Sequence, residues 1–192
     1  MSRFNAADFT RTHTPRNGEF FTIAIDGRGG SGKTSLAKYL EEQLPVVLVM
    51  YGDDYFEPVD DPTLWGEFNE DRFINDVIDP LQHGCTFVYK PYDWHTEPHI
   101  TEQHITVGKV LCLECCYSFA FELDWDLKIW VETPKEICLE RGLHRDNELG
   151  KERVLKAWNI WQQREDEYIQ KTQPLQAANL ILDGTMPFSE QI

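Results

Sequence analysis

Residues Gly27 to Thr34 read Gly-Arg-Gly-Gly-Ser-Gly-Lys-Thr and fit the phosphate-gripping pattern G-x-x-x-x-G-K-[ST]. The flanks fit as well. Phe20 to Ile25 is a short apolar run suited to a buried strand, and Lys33 to Leu44 reads as a helix. Glycines let main-chain N–H groups turn inward on an anion, and the start of a helix adds unpaired donors and the positive end of its dipole. Gly27, Gly29, Gly30, Ser31, Gly32, Lys33, Thr34 and Ser35 are therefore the expected contacts to a nucleotide's phosphates. Lys33 is placed to reach the β- and γ-phosphates, and the Thr34 hydroxyl to hold Mg²⁺.

Bulk properties narrow the partners. At 192 residues the chain can bury a sizeable core as one domain. Its formal net charge of −15 argues against a nucleic-acid binder and makes long-range attraction of a nucleotide adverse, so phosphate capture has to be local. No stretch approaches the roughly 20 apolar residues that cross a bilayer. Met1 to Gly18 lacks the apolar centre of a signal peptide. A cytoplasmic protein is expected, with neither membrane nor nucleic acid as partner; self-association is left open. The five cysteines, Cys112 and Cys115 of a formal C-x-x-C among them, are expected to be small core residues rather than disulfides or a zinc site.

Along the chain, residues 1–18 read as a lead-in, a short helix or a loose arm, and 19–192 as a single domain. Further apolar runs at Val46–Tyr51, Lys109–Leu113, Leu127–Val131 and Leu180–Leu182 have the continuous character of strands covered on both faces. Thr86–Tyr89 and His104–Val107 read as a small antiparallel pair. Phe73, Ile74, Val77, Ile78 and Leu81 recur at helical spacing, with Gly84 closing the segment. Pro45 is expected to end the helix after the loop. Thr133-Pro134-Lys135-Glu136 has the form of a capping box opening a helix toward Arg141 and His144. A longer helix is expected over about Glu152–Lys171, with Leu155, Trp158, Trp161 and Tyr168 on or near one face. Strands alternating with helices predict an α/β, three-layer fold: a mainly parallel five-stranded sheet, helices on both faces and a short lid at about 141–153. Ligands of such sheets gather at the C-terminal strand ends, where Gly27–Thr34, Asp53, Asp54 and Glu114 all fall.

A phosphate loop does not select the reaction. The Asn-Lys-x-Asp of GTPases and the Leu-Ser-Gly-Gly-Gln of ABC-type ATPases are absent, and Glu114 is followed by Cys115 rather than by the paired acids of AAA-type ATPases. Phosphoryl transfer to an alcohol needs a group that accepts the hydroxyl proton and aims the oxygen. Asp53, at the end of a strand expected to lie next to the loop strand, is suited to this; Asp53-Asp54 also reads as plain turn chemistry. Glu114 is suited to the Mg²⁺ hydration shell, since Mg²⁺ takes few direct protein ligands. Arg141, Arg145, Lys151 and Arg153 lie in or near the segment between the last two long helices, where mobile cations would neutralise the transferring group. Tyr92, Trp94 and His95 form an aromatic cluster suited either to stacking on a planar base or to plugging the core.

With these residues in place, the chain resembles the uridine kinase family, within the wider group of phosphoribulokinase, nicotinamide riboside kinase and bacterial pantothenate kinase. The resemblance runs from about Phe21 to Gly184. Gly52-Asp53-Asp54-Tyr55-Phe56-Glu57-Pro58 is similar to the acidic turn whose first Asp is taken as the catalytic base, which implies Asp53. Pro91-Tyr92-Asp93 resembles the Pro-x-Tyr-Asp element that helps hold the nucleoside, which implies Tyr92, with His95 nearby. Leu113-Glu114 resembles the strand that ends in Glu near the metal. Arg141 to Asp146 resembles the Arg-x-x-x-Arg-Asp start of the lid, which implies phosphate contacts by Arg141 and Arg145. Trp161, Glu165 and Tyr168 resemble a recurrent pattern in the long helix. The departures are Cys115 where glycine is usual, Gly142 where a second arginine is usual, and the missing His-Ser-Arg after the Tyr-Asp element. The resemblance implies an ATP- and Mg²⁺-dependent kinase of a small alcohol, foremost a nucleoside such as uridine or cytidine. The alternatives are pantothenate, nicotinamide riboside or a sugar as acceptor, or a nucleotide-binding regulatory module with little turnover.

Overall fold

The computed structural model describes residues 6–16, 20–44, 47–57, 67–83, 86–89, 103–106, 110–121, 123–146 and 151–192. In chain order the elements are α1 (Ala6–Thr12), β1 (Phe21–Gly27), α2 (Lys33–Gln43), β2 (Val47–Tyr51), a 3-10 turn (Gly52–Tyr55), β3 (Phe56–Glu57) and β4 (Glu67–Phe68). There follow α3 (Glu70–Phe73), which runs through a π turn (Ile74–Ile78) into α4 (Asp79–His83), then β5 (Thr86–Tyr89), β6 (Gln103–Thr106) and β7 (Val110–Glu114). A 3-10 turn (Ser118–Ala120), β8 (Leu127–Glu132), α5 (Lys135–Arg145), α6 (Lys151–Thr172), α7 (Pro174–Ala177) and β9 (Leu180–Asp183) complete the order, with a last 3-10 turn at Phe188–Glu190.

The five expected strands form one sheet in the order β2-β7-β1-β8-β9, and all its pairings are parallel. Alternate side chains feed two cores. Ile23, Ile25, Val110, Cys112, Ile129 and Val131 pack on Leu36, Ala37 and Leu40 of α2. Ala24, Met50, Leu111 and Leu113 face the other way, against Phe73, Val77 and Ile78 of the α3–α4 segment and against Tyr55 and Trp125. Strands buried on both faces read as unbroken apolar runs, which is why the sequence pattern is so plain. Each buried Val, Leu, Ile, Met or Phe among them contributes about 1.5–3 kcal/mol relative to an exposed one.

β5 and β6 pair antiparallel as expected, with Phe87 opposite Ile105. The helical segment beginning at Glu70 is capped by Asn69, whose Oδ1 accepts from Arg72 N–H at 2.9 Å. It widens into its π turn just ahead of Pro80, which has no N–H to continue the α ladder.

Three expectations are corrected. β2 is not next to the loop strand: β7 lies between them, so Glu114 rather than Asp53 ends the neighbouring strand. Thr133 does not cap α5. Its hydroxyl donates to the Ser31 carbonyl at 2.9 Å and to the Glu132 carbonyl, and Pro134 precedes the helix with no side-chain cap. Leu155 is 44% exposed and lies off the buried face that Trp158 anchors. Pro45, Gly84, Cys85, Tyr92, Trp94 and His95 lie outside the described residues, as do 147–150 of the expected lid. Among the described residues, no helix is long and apolar enough to cross a membrane.

Candidate active site

Parallel register sets the site. Ile25 pairs with Glu114 and Glu114 with Tyr51, so the glycine loop after β1, Glu114 at the end of β7 and the acidic turn after β2 emerge at one edge. The loop needs glycine in a plain sense: Gly30 has φ +78°, and a Cβ there would lie 2.4 Å from the Cys138 carbonyl oxygen.

Lys33 is buried under the loop. Its Nζ donates to the carbonyls of Gly27 and Arg28, both at 3.0 Å, and to Cys116 Sγ at 3.1 Å. The carboxylates of Glu114 and Asp26 help to hold the ammonium charged against the opposing cost of burial. Cys116 itself is a neutral thiol, pushed up to about 12 mainly by burial. The Thr34 hydroxyl donates to Glu114 Oε2 at 3.2 Å. Burial raises the Glu114 carboxyl above its ordinary range, the Lys33 charge opposes that rise, and the charge of Asp53 adds to it. The two residues expected at the metal are thus together, a hydroxyl and a carboxylate oxygen, the hard donors that suit Mg²⁺. Among the described residues no three His, Cys, Asp or Glu side chains form a metal cage, and a phosphate-linked Mg²⁺ needs none.

Asp53 is exposed in the 3-10 turn after β2. Its charge reaches both Glu114 and Arg145. Arg145, at the end of α5, is gripped by Asp146 through Nε at 2.7 Å and Nη2 at 3.3 Å. Arg141 lies on the rim: Nη1 donates to the Gly30 and Ser31 carbonyls at 3.3 and 3.4 Å, and Nη2 to the Gly184 carbonyl at 3.1 Å. The side chains of Lys151 and Arg153, like Tyr92 and His95, lie outside what is described.

Three residues that support the loop are absent from the sequence-based site. Asp26 is fully buried and receives Gly27 N–H at 2.6 Å, Tyr117 N–H and Phe119 N–H, both at 3.1 Å, and the Tyr168 hydroxyl. Burial raises its pKa against the pull of those donors. Its signal was an acid closing an apolar strand immediately before the first loop glycine. Glu165, noted only as part of a helix pattern, accepts Gly29 N–H at 2.7 Å and pairs with Arg28 at 3.5 Å. Thr133 pins the Ser31 carbonyl from the far side. Two of the departures from the family pattern also find physical reasons. A Cβ at Gly142 would come within 2.0 Å of the Trp158 ring, and one at Gly52 within 2.2 Å of Cys115 Sγ. The larger residue at 115 is thus matched by a glycine facing it.

No protein-family model matches the chain. It is 29% identical over 185 residues to uridine-cytidine kinase-like 1 of Mus musculus, a match covering 85% of this chain and 34% of that protein. The chain therefore spans about a third of the length of this curated relative. A possible uridine kinase from Bacillus stearothermophilus superposes with a TM-score of 0.63 at 15% identity, over 92% of this chain and 98% of that one. A proposed fructose transport system kinase from Silicibacter sp. TM1040 gives 0.63 at 19%, over 93% and 98%. At such identities the superpositions establish the fold: a P-loop α/β protein with a five-stranded parallel sheet. In sequence the chain is thus similar to a uridine-cytidine kinase-like protein, and in fold to proteins described as kinases.

Proposed function

We propose that the chain is an ATP-dependent kinase that transfers the γ-phosphoryl group to a hydroxyl of a small molecule, with a nucleoside of the uridine or cytidine kind as preferred acceptor. The observation that carries this reading is the common edge at which the loop, the Thr34–Glu114 pair and Asp53 meet. The loop amides and Lys33 bind the phosphate tail. Thr34 and Glu114 would hold Mg²⁺, which would supply positive charge to the phosphate tail. Asp53 accepts the acceptor's hydroxyl proton and aims its oxygen, and Arg145 stabilises the transferring group.

The charge of the sequence after Asp53 supports a choice among acceptors. Between Gly52 and His83 the chain has ten Asp or Glu and one Arg, Arg72. Arg72 is engaged by Glu57 at 3.0 Å and Asp76 at 3.7 Å. This favours a neutral nucleoside or sugar, or the cationic nicotinamide riboside, over anionic pantothenate.

The test is acceptor-dependent ADP formation with Mg·ATP over a panel of nucleosides, sugars, pantothenate and nicotinamide riboside. Asp53→Asn should lower kcat by about 10²-fold with little change in ATP affinity. Near-normal turnover in that variant would remove Asp53 from the role. ATP binding without stimulation by any acceptor would favour the regulatory module.

A further inference from the structure

We propose that Trp158 is a positioning residue that ties the lid arginine to the phosphate loop, an inference that rests on the kinase reading above. The indole is 2% exposed and joins segments far apart in sequence. One edge lies against Gly142 of α5, where a Cβ would approach Cζ2 to 2.0 Å. The outer ring atoms Cη2 and Cζ3 would stand 3.2 Å from a Cβ on Gly29 of the loop. Nε1–H donates to Asp146 Oδ2 at 2.9 Å. The same carboxylate grips Arg145, whose guanidinium carbon stands 5.8 Å from the centre of the ring. The charge of Arg145 bears on Glu114, and that of Asp53 on Arg145.

One rigid ring therefore sets the spacing between the loop that grips the phosphates and the cation that stabilises them in transit. Any large apolar side chain would fill the space. Only a ring with an N–H at that edge also gives the buried Asp146 a donor besides Arg145 itself, and so fixes the direction of Arg145. Glu165 and Asp166, further along α6, hold the loop from the same helix through Gly29 N–H and Arg28. Loop and arginine thus share one support. Because displacements of about 1 Å in a transfer site cost up to about 10²-fold in rate, such a support acts on turnover more than on binding.

The experiment compares Trp158→Phe, which keeps an aromatic ring and removes the N–H, with Asp146→Asn and the double variant, each checked for folding by thermal unfolding. Each single variant should lower kcat about 10-fold and leave KM for ATP within about twofold. The double variant should be no worse than the poorer single, since both act through Arg145. An unchanged kcat, a parallel loss of ATP affinity, or losses that multiply to about 100-fold would overturn the proposal. If Trp158→Phe fails to fold, Asp146→Asn alone carries the kcat-against-KM comparison. A second readout needs no turnover: the indole N–H resonance of Trp158, identified by its displacement in Asp146→Asn, should shift when a non-hydrolysable ATP analogue binds with Mg²⁺. Binding seen by calorimetry with that resonance unmoved would sink the inference and leave the kinase reading intact. Absence of analogue binding would sink both.

Discussion

Glu165 shows how one buried acid is held between opposing influences. Burial pushes its carboxyl up, while Gly29 N–H and the Arg28 and Lys33 charges pull it back, and burial prevails. A carboxyl whose folded pKa lies above its unfolded value binds its proton more tightly in the fold. Stability is then lost as pH rises from the unfolded pKa through the folded one. Glu165→Gln keeps an acceptor for Gly29 N–H and removes that titration. The difference in Tm, variant minus wild type, should therefore grow as pH is raised from about 4 and level off once the native carboxyl is ionised. Thermal unfolding across pH 4–8 checks this. A flat difference would mean that Arg28 and Gly29 fully offset the cost of burial.

At the scale of elements, α5 and α6 meet through the Gly142–Trp158 contact, and the sequence departure at 142 becomes a packing requirement. Gly142→Ala places a methyl within 2.0 Å of the indole. Overpacking of this kind costs about 1–3 kcal/mol. It should lower Tm by about 2–4 °C per kcal/mol in a chain of this size. A Tm unchanged within a degree would show that α6 slides freely away from α5. The same pair of helices marks where reading the sequence stopped. All five strands were legible, because burial on both faces leaves unbroken apolar runs, and so were the place of the glycine loop after the first strand and of Glu114 at a strand end, because those patterns are local. The order of the strands was not, since an apolar run carries no signal of its neighbour; hence Asp53 was assigned a strand beside the loop when β7 stands there. Thr133, with Pro134 and Glu136 behind it, had the local form of a cap, and a tertiary acceptor, the Ser31 carbonyl, won. Trp158, Asp26 and Glu165 act across sequence separations that periodicity does not report.

For the whole molecule, the question is whether net charge or local charge governs the approach of an anionic nucleotide. Thirty-three acids against eighteen bases leave −15, and much of the acid lies in the segment beside Asp53. Against this stand Lys33, Arg141 and Arg145 at the loop, of which Lys33 is buried on loop carbonyls and Arg145 is paired with Asp146. At about 0.01 M salt the Debye length of about 30 Å lets every carboxylate on the surface act on the incoming ligand, whereas at about 0.15 M it is about 8 Å and only the loop's own surroundings count. Repulsion from the whole surface should therefore dominate at low salt, and capture at the loop near physiological salt. The association rate constant of a fluorescent ATP analogue with Mg²⁺, measured by stopped flow, should rise about 2- to 5-fold between those conditions, while the dissociation rate changes less. A rate that falls with salt would mean that the exposed faces of Arg141 and Arg145 already form an attractive funnel strong enough to outweigh the remaining charge. That outcome would move the origin of nucleotide capture from the loop amides to these two arginines.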